Sequence, residues 1–192
     1  MRHIAKLFEA SAPDAEVLGQ TVMAFRSNIE ANAIAPLLAK YGLDHIEPEA
    51  WYLHQSWFNV LRDISLMPCG ISMLSAFGRK VVETAVMPPN IDSIPKVLGM
   101  LNVIHHINLR NVSPEEGYAV EMLSDKHYLV YHNTGNPNDT IYGFISGLVE
   151  RYKHPTDEVS VQIVENKKAV EKPGSVFEIK WKTRYRMGVA SN

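Results

Sequence analysis

Eight histidines hold most of the chemistry this sequence offers, because an imidazole both ligates metal ions and titrates near neutral pH. His105 and His106 are neighbours in an apolar run of helical periodicity, where successive side chains diverge by roughly 100°, so at most one of them faces a buried pocket. His105 shares its face with Leu101 and Ile104, and it reads either as a ligand or as a buried histidine held by a hydrogen bond. No His-Glu-x-x-His pair and no carboxylate-histidine cluster of metal-binding spacing occurs. A Gly-x-Ser-x-Gly elbow, a Walker loop and a glycine-rich dinucleotide turn are also missing. Cys69, between Pro68 and Gly70 at a helix start, is either a small packed residue or a thiol activated by the helix dipole. Glu115 and Glu116 read as surface carboxylates. Trp51, Tyr52, Trp57 and Phe58, with Met67, Met73 and Met87 after them, read as an aromatic core or as the lining of an adaptable apolar cavity.

The elements that must position these residues fall into two unlike halves. Leu18, Val22, Phe25 and Ile29 predict a helix over 14–29, and Ile34, Leu37, Leu38 and Tyr41 a second run stopped by Gly42. Pro48, beside Glu47 and Glu49, opens a helix whose stripe is Trp51, Phe58, Leu61 and Ile64, joined by His54. Another long helix over 71–87 closes at Pro88 and Pro89, and Ser93 caps a helix with Pro95 in its first turn that carries His105. After Arg110 the period shortens: 117–123 and 127–131 read as a hairpin, 133–139 as a polar loop, 141–152 as a helix, and 159–164 and 176–181 as two final strands. The lysine-rich turn at Lys167 and Lys168 reads as solvated. The order predicts an α+β fold, a helical half followed by a four-stranded antiparallel sheet (β-β-α-β-β) packed against helices. The expected organisation is one domain over 14–184, helical over 14–110 and sheet-containing over 115–184, with extensions at 1–13 and 185–192.

Composition narrows the function classes. At 192 residues, 46% hydrophobic and 21% charged, the chain has enough apolar material for a core. Nineteen basic against twenty-one acidic residues lack the excess of positive charge that a phosphate backbone demands, so nucleic acid is not the expected partner. One cysteine leaves no intramolecular disulfide to form, and no apolar run reaches the roughly 18 residues of a membrane span. The expectation is a cytoplasmic protein.

Val97 to His105, Leu129, Val130 and Tyr131, Tyr142 to Leu148, and Phe177 to Trp181 together carry a family resemblance. That resemblance, over the stretch from Ile94 to Trp181, is to the haem-nitric oxide/oxygen binding (H-NOX) family and the related 4-vinyl reductase and TRAPP-like sensor domains. It implies that His105 is the axial haem ligand, with Leu101 and Ile104 on the cofactor-facing side of its helix. It also implies that Tyr131 and Asn133 approach the haem propionates. The family's Tyr-x-Ser-x-Arg motif reads here Tyr131, His132, Asn133, Thr134 and Gly135, so asparagine stands for the serine and glycine for the arginine. Neither can neutralise a carboxylate as a guanidinium does.

Three functions follow as expectations. The first is a small-ligand sensor domain, with haem as cofactor and a diatomic gas as ligand, signalling to a protein partner by a conformational shift and performing no catalysis. The second is a haem-free interaction or scaffold module, able to homodimerise or to bind a small apolar or planar ligand. The weakest is an enzyme acting on a small hydrophobic substrate.

Overall fold

Strand pairing takes over where helical spacing had pointed to longer helices. The computed structural model describes residues 3–24 and 31–183. Phe25, Ile29 and the tail 185–192 lie outside the described residues. The helical half begins with β1 (Glu16–Leu18) and α1 (Gly19–Met23), followed by α2 (Ala31–Lys40), β2 (Trp51–Leu53), α3 (His54–Ser65) and α4 (Gly70–Thr84). It continues through α5 (Ile94–Gly99) and α6 (Leu101–Asn108) to β3 (Leu109–Arg110). The second half runs β4 (Gly117–Ser124), β5 (His127–Asn133), α7 (Asn138–Tyr152), β6 (Asp157–Val164) and β7 (Ser175–Thr183).

The expected helix over 14–29 is corrected: Glu16, Val17 and Leu18 pair antiparallel with Leu53, Tyr52 and Trp51 on one side, and Val17 pairs with Leu109 on the other. The helix expected from Pro48 starts instead at His54, because Trp51 and Tyr52 belong to the strand, where aromatic side chains fit the pleat. Gly19 admits this small sheet beside the 47–50 turn, since a Cβ there would lie 2.0 Å from the Glu47 carbonyl oxygen. The helix expected to run unbroken from Ser93 through His105 is interrupted at Met100, and Ser93 makes no side-chain cap hydrogen bond. Gly42 ends the 31–40 helix in the left-handed region at φ +72°.

The second half follows the expected order. Its sheet has the strand order β4-β5-β7-β6, antiparallel throughout, with His132 opposite Tyr118 on one side and Ser175 on the other. Tyr128, Val130, Phe177 and Ile179 turn one face of that sheet into a core shared with Phe58, Leu61, Leu74, Phe77, Leu98, Leu101, Ile145 and Leu148. Each such side chain contributes about 1.5–3 kcal/mol on burial. Helices α4 and α7 cross at backbone contact: a Cβ on Gly78 would sit 2.0 Å from the Thr140 carbonyl oxygen, and one on Gly143 2.0 Å from that of Ser75. This crossing holds Thr140 against α4.

Residues 3–13, expected as an extension, are laid against the domain. The Ala5 amide donates to Asn133 Oδ1 at 2.9 Å, the Phe8 amide to the Gly135 carbonyl at 2.7 Å, and the Ala10 amide to Gln55 Oε1 at 3.0 Å. Phe8 and Ala10 pack on the core. The apolar periodicity of this segment is too short to announce that docking.

Candidate ligand site

Where α6 meets the first residues of β4, a buried cluster of ionisable side chains forms. Gly117, at φ +136°, turns the chain beneath α6; a Cβ there would lie 2.1 Å from Asn102 Oδ1, which accepts the Tyr118 amide at 2.9 Å. The Glu116 amide donates to the Ser113 carbonyl at 2.9 Å, and this turn carries the Glu116 side chain inside, leaving the residue 2% exposed. The expectation of a surface carboxylate is thereby corrected for Glu116. Its Oε1 lies 3.4 Å from His105 Nε2, a separation that leaves both atoms without a hydrogen bond of ordinary geometry among the described residues.

Burial lowers the His105 pKa, against the pull of Glu116. Burial also pushes the Glu116 carboxyl up, but the neighbouring His105, with Ser11 and His54, outweighs it and holds the group below its ordinary value. Burial drives His54 down to about 4 and His132 to about 4, so both are neutral imidazoles at neutral pH. Tyr118 is shifted upward by burial and by the Glu116 charge, which keeps its phenol protonated. His132 Nδ1 and Nε2 lie 3.1 Å from Thr134 Oγ1 and 3.2 Å from Asn138 Oδ1.

His105 and Ile104 line a cavity of about 90 Å³ between α3, α4, α6, α7 and β4. Its walls include Trp57, Phe77, Val81, Ile141 and Phe144. His54 enters at the first position of α3, its ring on Phe58 at 4.0 Å between centroids, and Thr140 enters from the first turn of α7. His54 Nδ1, His105 Nε2 and Thr140 Oγ1 all belong to cavity-lining residues, are buried, and have no hydrogen-bond partner among the described residues. Asn108 also lines the cavity, but its amide is engaged: Nδ2 donates to the Ile104 and Val86 carbonyls at 2.8 and 3.1 Å, and Oδ1 accepts the Val86 amide at 3.1 Å. His106 faces outward, its Nδ1 2.8 Å from the Asn102 carbonyl oxygen.

The other residues expected at a cofactor lie elsewhere. Leu101 is fully buried in the core and does not line the cavity. Tyr131 and Asn133 share the face of β5 opposite His132. The Tyr131 hydroxyl donates to Glu121 at 3.1 Å, and its ring lies under Lys172 Nζ at 4.5 Å. Lys168 and Lys172 grip the same carboxylate at 2.8 and 3.0 Å and hold it down to about 2. The turn at Lys167 and Lys168 is exposed, as expected, and Lys168 reaches the Glu121 carboxylate from it. Cys69 is exposed, at φ 63°, and not a packed residue.

Haem can be tested against these residues. Its axial position fits, since His105 is buried on α6 and faces the cavity. The propionate end does not fit. Asn133 Nδ2 already donates to the His3 and Glu115 carbonyls at 3.1 and 3.0 Å while Oδ1 accepts from Ala5, so both of its N–H donors are spent on the chain itself. A Cβ at residue 135 would lie 2.5 Å from the Glu9 carbonyl oxygen and 2.8 Å from the Phe58 ring, so the space an arginine would enter is filled. Cofactor pockets run to roughly 300–1,000 Å³, well above the cavity beside His105. These residues do not fit haem. No group of three or more His, Cys, Asp or Glu side chains suited to a metal ion occurs among the described residues.

The residues that sequence reasoning missed are Glu116, Tyr118, His132 and Thr140, with His54 noted only as part of an apolar stripe. The available signals were slight: a glycine directly after Glu116, and a threonine just inside a helix that follows Pro137. None of the described helices is long and apolar enough to cross a membrane.

No protein-family model matches the chain, and no curated protein matches it. Solved structures do. An oxygen-binding H-NOX domain related to soluble guanylate cyclases, in its oxygen complex, is 16% identical with a TM-score of 0.59, covering 88% of this chain and 97% of its own. A structure from work on the molecular mechanism of H-NOX activation is 14% identical with a TM-score of 0.59, covering 87% and 94%. A mutant H-NOX from T. tengcongensis is 14% identical with a TM-score of 0.55, covering 88% and 97%. Likeness of this extent at such low identity speaks to architecture: the chain has the α+β fold of H-NOX domains.

Proposed function

We propose that this chain is a sensor domain that binds a small ligand in the cavity beside His105 and works without haem. The observation that carries the reading is one apolar-walled cavity whose lining residues His54, His105 and Thr140 each hold a buried polar atom without a hydrogen bond among the described residues, beside a filled propionate end. A buried polar atom left unpaired costs about 1–3 kcal/mol, and a ligand that pairs it recovers that cost.

The signalling step is a population shift. A ligand touching His105 acts on α6, and α6 is tied to β4 through Asn102 and the Tyr118 amide, so the helix and the sheet edge move as a unit. The changed surface of α6 and β4 is what a signalling partner or a second copy of the chain reads. The residues bind and reposition; no bond in the ligand is made or broken.

Expression with haem supplied, followed by a visible spectrum, tests the reading. A colourless protein that also takes up no added haem is the expected result. A stoichiometric Soret band abolished by His105→Ala would establish the haem reading that the fold likeness favours and overturn this one.

A further inference from the structure

The lining of the cavity restricts what it can hold. Neither Asp, Glu, Lys nor Arg is among the lining residues, and Glu116 reaches His105 without forming part of the wall. Burial holds His54 neutral and also lowers the His105 pKa. An ion placed in this cavity would be desolvated without a charged partner, at a cost of several kcal/mol.

Size and polarity narrow the class further. An apolar cavity of about 150 Å³ stays dry and accepts benzene, with six heavy atoms. The smaller cavity here has room for a molecule of about four heavy atoms on that scale. It differs from a dry cavity in its lining residues His54 and Thr140, no more than 5% exposed, whose Nδ1 and Oγ1 have no hydrogen-bond partner among the described residues, while His105 lines it with Nε2 3.4 Å from Glu116 Oε1. A hydroxyl offers one hydrogen and two lone pairs, while each neutral imidazole nitrogen offers either an N–H or a lone pair. The occupant must therefore both donate and accept hydrogen bonds on one small frame. Trp57, Phe77 and Phe144 add aromatic surface, which favours a flat π system over a compact alcohol.

We propose that this cavity is a binding site for small, planar, uncharged molecules that carry an N–H beside a lone-pair acceptor, the pattern of short amides. The proposal rests on the small-ligand reading above and assigns that site its ligand class. His54 and Thr140 are the recognising residues, and the aromatic walls select the shape.

The test is titration of the full chain with acetamide against acetone, followed by NMR. The two probes are planar, have four heavy atoms each, and differ in that acetamide alone pairs an N–H with its carbonyl oxygen. The expected result is saturable binding of acetamide at one site, at least tenfold tighter than acetone. Thr140→Val should weaken acetamide about tenfold and narrow its lead over acetone. Thr140→Ser, which keeps the hydroxyl, should retain the selectivity. Equal binding of both probes, or indifference of acetamide to Thr140→Val, would overturn the ligand class while leaving a small-ligand cavity in place. Failure of both probes to saturate, with only ordered water at His54 Nδ1 and Thr140 Oγ1, would overturn the class and the cavity reading together.

Discussion

Replacing Gly135 with arginine restores the residue that the H-NOX motif carries at that place, and this chain is expected to reject it. A Cβ alone would stand 2.5 Å from the Glu9 carbonyl oxygen and 2.8 Å from two Phe58 ring atoms, and the rest of the arginine would have to force the N-terminal segment outward. Overpacking of this kind costs about 1–3 kcal/mol. The Phe8 to Gly135 hydrogen bond lost with it is worth about 1 kcal/mol more. Because Gly135 is not among the residues at positive φ, backbone strain adds nothing and the loss is steric. A total of about 2–4 kcal/mol, at roughly 2–4 °C per kcal/mol for a domain of this size, lowers the unfolding midpoint by roughly 5–15 °C. Thermal unfolding of the full chain by circular dichroism reads this directly, and Gly135→Ala should show part of it because the first added atom already clashes. A Gly135→Arg protein as stable as the parent, or one that gains a Soret band when haem is supplied, would refute the claim that the chain's own residues fill the propionate end.

Two more expectations follow from the same geometry. Asn133→Ala removes three hydrogen bonds to His3, Ala5 and Glu115, and should cost about 2–4 kcal/mol and speed hydrogen exchange at the Ala5 and Phe8 amides, with exchange mass spectrometry as the readout. His54 and His132 are each held at about 4 in the folded protein against an ordinary value of 6.5, so the unfolded chain binds protons that the folded one refuses. Stability is therefore full above pH 6.5 and falls as the pH drops toward 4, by up to roughly 3 kcal/mol per histidine, and His54→Phe should flatten part of that slope in denaturant titrations at stepped pH.

The sheet half was legible because its signals are local. The hairpin around Ser124 to Lys126, the helix through Ile141 and Leu148, and the last two strands each declare themselves within a dozen residues. The first sheet was not legible, because Glu16 to Leu18 becomes a strand only through partners at Trp51 to Leu53 and at Leu109. Its helical spacing is real, and pairing across the chain overrides it. Similar reasoning applies at the site. His105 was readable from Leu101 and Ile104 on its face, but whether Glu116 is buried depends on a turn at Gly117 against Asn102. The departures from the family motif at Asn133 and Gly135 were readable, but their contacts with the N-terminal segment were not, since those partners lie over a hundred positions away.

The most direct test of the account is a high-resolution experimental electron-density map of the cavity in the full chain purified without added ligand. Density for a small molecule, beyond ordered waters, is expected within hydrogen-bonding distance of His54 Nδ1 and Thr140 Oγ1, with Asn133 and Gly135 still engaged by residues 3–9. A porphyrin bonded to His105, with its propionates where the N-terminal segment lies, would contradict it.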